Sequence, residues 1–151
     1  MKFTNASEID MLILKIEQSL EEHAQWVKLW HSKAICDRPF PDIYLDTNAS
    51  DTCDFSEWFQ SQQSAEWLHQ LDYDAITAVH NTVHEEAVIL SQKIMSKEEI
   101  TEKDYYRFMN SEWNFSHQLQ TLKDKISRLQ ISFDPLTGIF NRQAMMPILL
   151  Q

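Results

Sequence analysis

A single glycine, Gly138, stands among the 151 residues, alongside four prolines. Tight hairpin turns need residues that accept positive φ, so a chain this poor in them has little means of building an antiparallel sheet. Long helices joined by few connections fit better, and five Trp and eight Phe supply the bulk to pack between them. With 43% apolar and 24% charged residues, the composition is that of one folded domain with a real core.

Hydrophobic periodicity places the helices. From about Ser7 to Ile35, with Asn5 or Ser7 as cap, the residues Ile9, Ile13, Ile16, Leu20, His23, Val27 and Trp30 alternate four-residue and three-residue steps, the seam of a bundle helix. The stretch Cys36 to Thr52 contains Asp37-Arg38-Pro39-Phe40-Pro41 and reads as a connection. A short helix opens at Cys53, and Ala65 to Leu71 reads as another short helical piece. Asp72 or Asp74 is the expected cap of a long helix to about Met95, with the seam Ile76, His80, Val83, Ala87, Leu90 and Ile94. Ser96-Lys97-Glu98-Glu99 reads as a capping box that starts a last helix, running to about Phe133 before Asp134-Pro135. Its seam of Phe108, Phe115, Leu119, Leu122, Ile126 and Leu129 is interrupted by Glu112, which periodicity does not explain. The expected fold is all-α: an antiparallel four-helix bundle with an extra short helix carrying Cys53, a long C-terminal helix, and a dimeric assembly.

A formal charge of −10 argues against nucleic acid or an anionic membrane as partner, because both would be repelled. No stretch approaches the roughly 20 apolar residues needed to span a bilayer. The N-terminus lacks the pattern of an export signal, so a cytoplasmic location is expected. Two cysteines are too few for a disulfide scaffold, and a thiol kept reduced is a metal ligand or a redox group.

His80-x-x-x-His84 sets two imidazoles one helical turn apart, able to chelate one ion from one face. Alone, that pair is weak evidence, since one core and one surface histidine would look the same. His23 strengthens it by lying on a buried seam, where an imidazole needs a partner. Cys53 supplies a thiolate, and three His with one Cys suit tetrahedral Zn²⁺ with no position left for water or substrate. His84 is followed by Glu85-Glu86-Ala87, so the H-E-x-x-H motif of zinc hydrolases is missing. Leu20, Thr77 and Asn81 hold the places where a di-iron bundle would need Glu. His31, His69 and His117 read as packing or surface histidines, and Cys36 as a half-buried thiol.

Three blocks, His23-Ala24-Gln25-Trp26, Cys53-Asp54-Phe55-Ser56-Glu57-Trp58 and His80-Asn81-Thr82-Val83-His84, together resemble the chemoreceptor zinc-binding (CZB) family. The resemblance spans about Glu8 to Leu129, with Ser56 standing where the family prefers glycine. Beyond it, Asp134-Pro135-Leu136-Thr137-Gly138-Ile139-Phe140-Asn141-Arg142 is similar to the motif that opens GGDEF diguanylate cyclase domains. The resemblances imply a sensor at 1–133 and the start of a GGDEF domain at 134–151, whose catalytic loop is not among these residues. They further imply a homodimer, control of a GGDEF domain in cis that makes c-di-GMP, and bound Zn²⁺ that restrains it; this chain itself carries no catalytic residues. Two other readings stay open: a redox sensor in which an oxidant such as hypochlorous acid attacks Cys53, and a zinc bundle that only dimerises.

Overall fold

The computed structural model describes residues 6–133, and the GGDEF-like motif and the Asn5 cap lie outside them. The described residues contain five α-helices and no strand: α1 (Ala6–Ile35), α2 (Ala49–Thr52), α3 (Asp54–Ser61), α4 (Gln70–Met95) and α5 (Glu102–Phe133). A single 3-10 turn, Asp42–Tyr44, interrupts the connection after α1. This is the expected all-α bundle, with α1, α4 and α5 as its long members. Short helices fill the segment between α1 and α4, where Pro39 and Pro41 and the Asp/Asn/Ser-rich stretch that follows cannot sustain a long one.

α4 and α5 are antiparallel, pinned near opposite ends by Lys93–Asp104 (3.2 Å) and Lys125–Asp72 (3.5 Å). The long return of the chain between them lets α1 lie parallel to α4. Trp30 Nε1 donates to Ser91 Oγ at 2.9 Å, while His23 faces His80 lower down. The seams meet along the axis: Ile9, Ile16 and Trp30 from α1, Ile76, Val83 and Leu90 from α4, and Phe108, Phe115, Leu119 and Ile126 from α5 are all buried. Each such side chain contributes roughly 1.5–3 kcal/mol on leaving water.

The connection is better ordered than its polar sequence suggests. Phe40 stacks on Trp30 with centroids 5.8 Å apart, and wholly buried Tyr44 donates to the Trp26 carbonyl at 2.5 Å. Residues 65–69 do not form the expected helical piece. Trp67 and Leu68 are buried and Trp67 Nε1 bonds the Gln62 side chain at 2.9 Å, which folds the segment into turns. α4 accordingly starts earlier than Asp72, with His69 as N-cap and its carbonyl accepting from Tyr73 N–H.

The expected capping box at Ser96 is also displaced. Ser96 closes α4, and Lys97 takes a left-handed backbone with φ 57°. The box that opens α5 is Thr101-x-x-Asp104: Thr101 Oγ1 accepts from Asp104 N–H, and the Asp104 carboxylate accepts from Thr101 N–H, each at 3.1 Å. Ser96 was the tempting choice because Glu99 stands at the right spacing, but the α4 carbonyls claim the backbone N–H groups of Ser96 to Glu98 first. No helix among the described residues is long and apolar enough to cross a membrane.

Candidate metal centre

Four side chains from three elements converge at mid-height in the bundle. His23 comes from α1, where Ile9, Ile16, His23 and Trp30 are all buried at seven-residue spacing. His80 and His84 come from α4, one turn apart and both buried. Cys53 is the N-cap residue of α3, with an extended backbone and a carbonyl that accepts from Glu57 N–H at 3.1 Å. The structure therefore brings together all four residues singled out in the sequence. His31 instead bonds Tyr105 Oη at 3.0 Å, His117 stacks on Trp113, His69 caps α4, and Cys36 is exposed.

One donor atom from each of the four lies within 4.8 Å of every other. His84 Nε2 is 3.1 Å from His80 Nε2, His80 Nε2 is 3.2 Å from His23 Nε2, and Cys53 Sγ is 3.9 Å from His23 Nε2. A tetrahedral zinc with ordinary bond lengths sets its nitrogens about 3.3 Å apart and its nitrogen and sulfur about 3.6 Å apart. Direct hydrogen bonding serves this cluster poorly: one proton fits between each pair of nitrogens, whereas one cation satisfies three lone pairs and a thiolate at once. The donor set thus fits a divalent, sulfur-tolerant ion.

Burial holds His80 well below the ordinary imidazole range, at about 2, helped by the charge that His84 and His23 would carry. Burial likewise lowers His84 to about 3, with His23 adding to the effect. Both rings therefore stay neutral and offer lone pairs at any physiological pH. His23 differs. Burial opposes its charged form, but hydrogen bonds to Cys53 and Glu112 and their negative charge prevail and push it up to about 9. Rings of Trp26, Phe55 and Phe115 wall the cluster, with His23 and Phe115 centroids 4.6 Å apart and Trp26 and His84 centroids 4.9 Å apart.

Two features were not recognised from sequence. Glu112 is buried on α5, and its Oε2 lies 3.3 Å from His23 Nδ1, the nitrogen facing away from the cluster. Its signal was present as the charged residue interrupting an apolar seam. The other is a cavity of about 370 Å³ beside the centre, lined in part by Cys53, His23, His84, Trp26 and the carboxylates of Glu22, Asp42, Asp46 and Asp54. It gives Cys53, together with the edges of His23 and His84 but not His80, an opening toward solvent. Ser56, which stands in place of a glycine, is buried, so its hydroxymethyl group does not hold α3 off the bundle.

No protein-family model matches the chain, and no curated protein matches it. A solved structure described as the regulatory CZB domain of DgcZ superimposes with a TM-score of 0.70, over 78% of this chain and 98% of that one, at 15% sequence identity. The likeness is one of fold, and the helical bundle around His23, Cys53, His80 and His84 is the fold of a CZB regulatory domain.

Proposed function

We propose that the chain is a zinc-binding regulatory domain of the CZB family, in which His23, Cys53, His80 and His84 hold one Zn²⁺. The observation that carries this reading is the convergence of one thiol and three imidazole Nε2 atoms inside a CZB fold. When bound, the metal supplies a common centre of positive charge for four ligands and, with its shell filled by protein, no open position for a reacting molecule. Phe55, Phe115 and Trp26 pack against the imidazoles, and Glu112 holds the outer nitrogen of His23. The reading extends to a cytoplasmic homodimer that regulates a C-terminal GGDEF diguanylate cyclase, with bound zinc inhibiting it. Support for that extension is the nine-residue motif from Asp134 to Arg142, which directly follows α5.

As a regulator the domain must change state without unfolding, and an apolar core that extends well beyond the four ligands suits that. The change expected is local. α3 keeps Phe55 against Phe115 and Phe59 stacked on Tyr73, so loss of the metal would release Cys53 and the turn before it rather than the whole helix. The test is metal content after gentle purification. About one zinc per chain is expected in the wild type, with loss in Cys53→Ala and His80→Ala; full zinc in both variants would end the assignment. A helical circular dichroism spectrum that survives a strong chelator is expected of a regulator, whereas unfolding on chelation would mark a structural bundle.

One observation favours a second input. Cys53 is the half-buried ligand on a cavity wall, while the three histidines are buried, so a small oxidant meets sulfur first. Zinc release by mild hypochlorous acid with sulfenate on Cys53 is expected under this reading, and zinc release without Cys53 modification would refute it.

A further inference from the structure

We propose that Glu112 is the positioning residue through which the metal centre is read by α5, an inference that rests on the zinc reading above. The four ligands come from α1, from the head of α3 and from α4, and none comes from α5. Yet α5 is the helix that runs out toward residues 134–151, where any regulated domain would follow. A bundle whose metal gripped only the other helices would deliver nothing to that exit without a contact across the interface.

Glu112 is that contact. Its Oε2 lies 3.3 Å from His23 Nδ1, with the two side chains 10% and 4% exposed. Its Oε1 accepts from Ser116 Oγ at 3.4 Å, one turn further along α5. Phe108 and Phe115 occupy neighbouring places on the same face and are wholly buried, so position 112 is one where packing alone would favour an apolar residue. Burying a carboxylate in such a place is costly unless its hydrogen bonds are made, and the bonds made here run to a candidate ligand and back to α5 itself.

The metal changes how firmly the ring in this contact is held. A ring that gives its Nε2 lone pair to a cation must carry its proton on Nδ1, so donation to Glu112 becomes obligatory and the ring's rotation is fixed. Without the cation the contact to Glu112 is still made, but the far end of the ring is met only by the half-buried Cys53 Sγ and by His80 Nε2 rather than by a fixed ion. Phe115 also touches His23 and His80, but a ring contact lacks the direction of a hydrogen bond. The bond to Glu112 therefore carries ligand state from α1 into α5.

The experiment uses the full chain. Zinc affinity is measured by chelator competition in wild type, Glu112→Gln and Glu112→Leu. Backbone hydrogen exchange is followed with and without saturating zinc over residues 108–119 of α5 and 76–88 of α4. Zinc is expected to slow exchange in both windows of the wild type. The variants are expected to bind zinc about 10-fold more weakly or worse, Leu more than Gln, as for loss of an outer-sphere carboxylate. At saturating zinc they should keep the slowing in α4 and lose it in α5. Undiminished slowing in α5 of either variant overturns the proposal, as does equal loss in α4 and α5, which would make Glu112 a general packing element. Glu112→Gln, nearly isosteric, carries the test alone if Glu112→Leu does not fold. A wild type that binds no zinc overturns the reading beneath, and is seen before any variant is compared.

Discussion

His80 and His84 project from the middle of α4, a helix of 26 residues packed along its length, whereas Cys53 caps an eight-residue helix behind a polar connection. The imidazoles are buried among Trp26, Phe55 and Phe115; the thiol is half-buried on the wall of a cavity edged by carboxylates. The same centre thus has a half that is part of the core and a half that is leaned against it. What differs is the coupling between ligand and fold: altering a core ligand should cost packing as well as metal, and altering the thiol should cost metal alone.

The largest expected effect tests that division directly. In metal-free protein, His80→Ala removes a ring enclosed by Phe55 and Phe115 and leaves a cavity, with an expected loss of about 2 kcal/mol after allowance for relief of crowding among three imidazoles. Cys53→Ala removes one half-exposed sulfur and should cost less than about 1 kcal/mol. Urea denaturation with chelator present measures both. Equal losses would mean that the thiol belongs to the core as fully as the imidazole does.

A second effect follows from protonation of the metal-free fold. His80 and His84 have folded values of about 2 and about 3, below the ordinary 6.5 of an unfolded chain. Between these limits the unfolded chain binds protons that the fold excludes, so stability is full above about pH 6.5 and falls as pH drops. His23, raised to about 9, acts in the opposite sense: its contribution is full below 6.5 and is lost as pH rises through 9. Metal-free protein should therefore be most stable near pH 6.5 to 7, with the acid side set by α4 and the alkaline side by the contacts of His23 with Cys53 and Glu112. Cys53→Ala should flatten the alkaline limb and spare the acid one. Thermal melts across pH 4 to 10 decide this, and an acid limb that flattens with Cys53→Ala would dissolve the distinction between the two halves.

The division also tracks what could be read before the fold was known. The imidazole half was legible because helical periodicity assigns a face to every residue: seams that bury Ile16 and Trp30 bury His23, and those that bury Ile76 and Val83 bury His80. The position of Cys53 was not legible from periodicity, because loops have none; its thiolate chemistry and the resemblance of its block to a family pattern linked it to the histidines. The way Phe40, Tyr44, Trp67 and Leu68 knit the connection onto the bundle depends on contacts distant in sequence, and so does the pairing of Glu112 with His23 across 89 residues. Element ends were misread at His69 and Thr101, where the winning caps were decided by which backbone groups the neighbouring helix had already claimed.

The smallest expected effect concerns how the two halves are attached. With no glycine among the described residues, both α1 and α4 end on an L-residue in the left-handed region, Asp37 at φ 52° and Lys97 at φ 57°. Each is followed by the same closure, Arg38 N–H to the Lys33 carbonyl at 2.9 Å and Glu98 N–H to the Lys93 carbonyl at 3.0 Å. A left-handed backbone costs an ordinary L-residue roughly 1–2 kcal/mol, and Asp less than Lys because its short side chain bonds locally. Lys97→Gly should therefore stabilise the protein by about 1 kcal/mol after the added freedom of the unfolded chain is counted, and Asp37→Gly by less. The sites differ in what they lead to: Lys97 lies in the exposed turn that joins α4 to α5, and Asp37 opens the connection that ends at Cys53. A gain from Lys97→Gly should appear with and without zinc alike. Asp37→Gly should leave the metal-free melt nearly unchanged yet lower zinc affinity slightly, because a freer connection must be ordered before the thiol is in place. A zinc affinity that responds to Lys97→Gly and ignores Asp37→Gly would reverse the assignment of which half is loosely held.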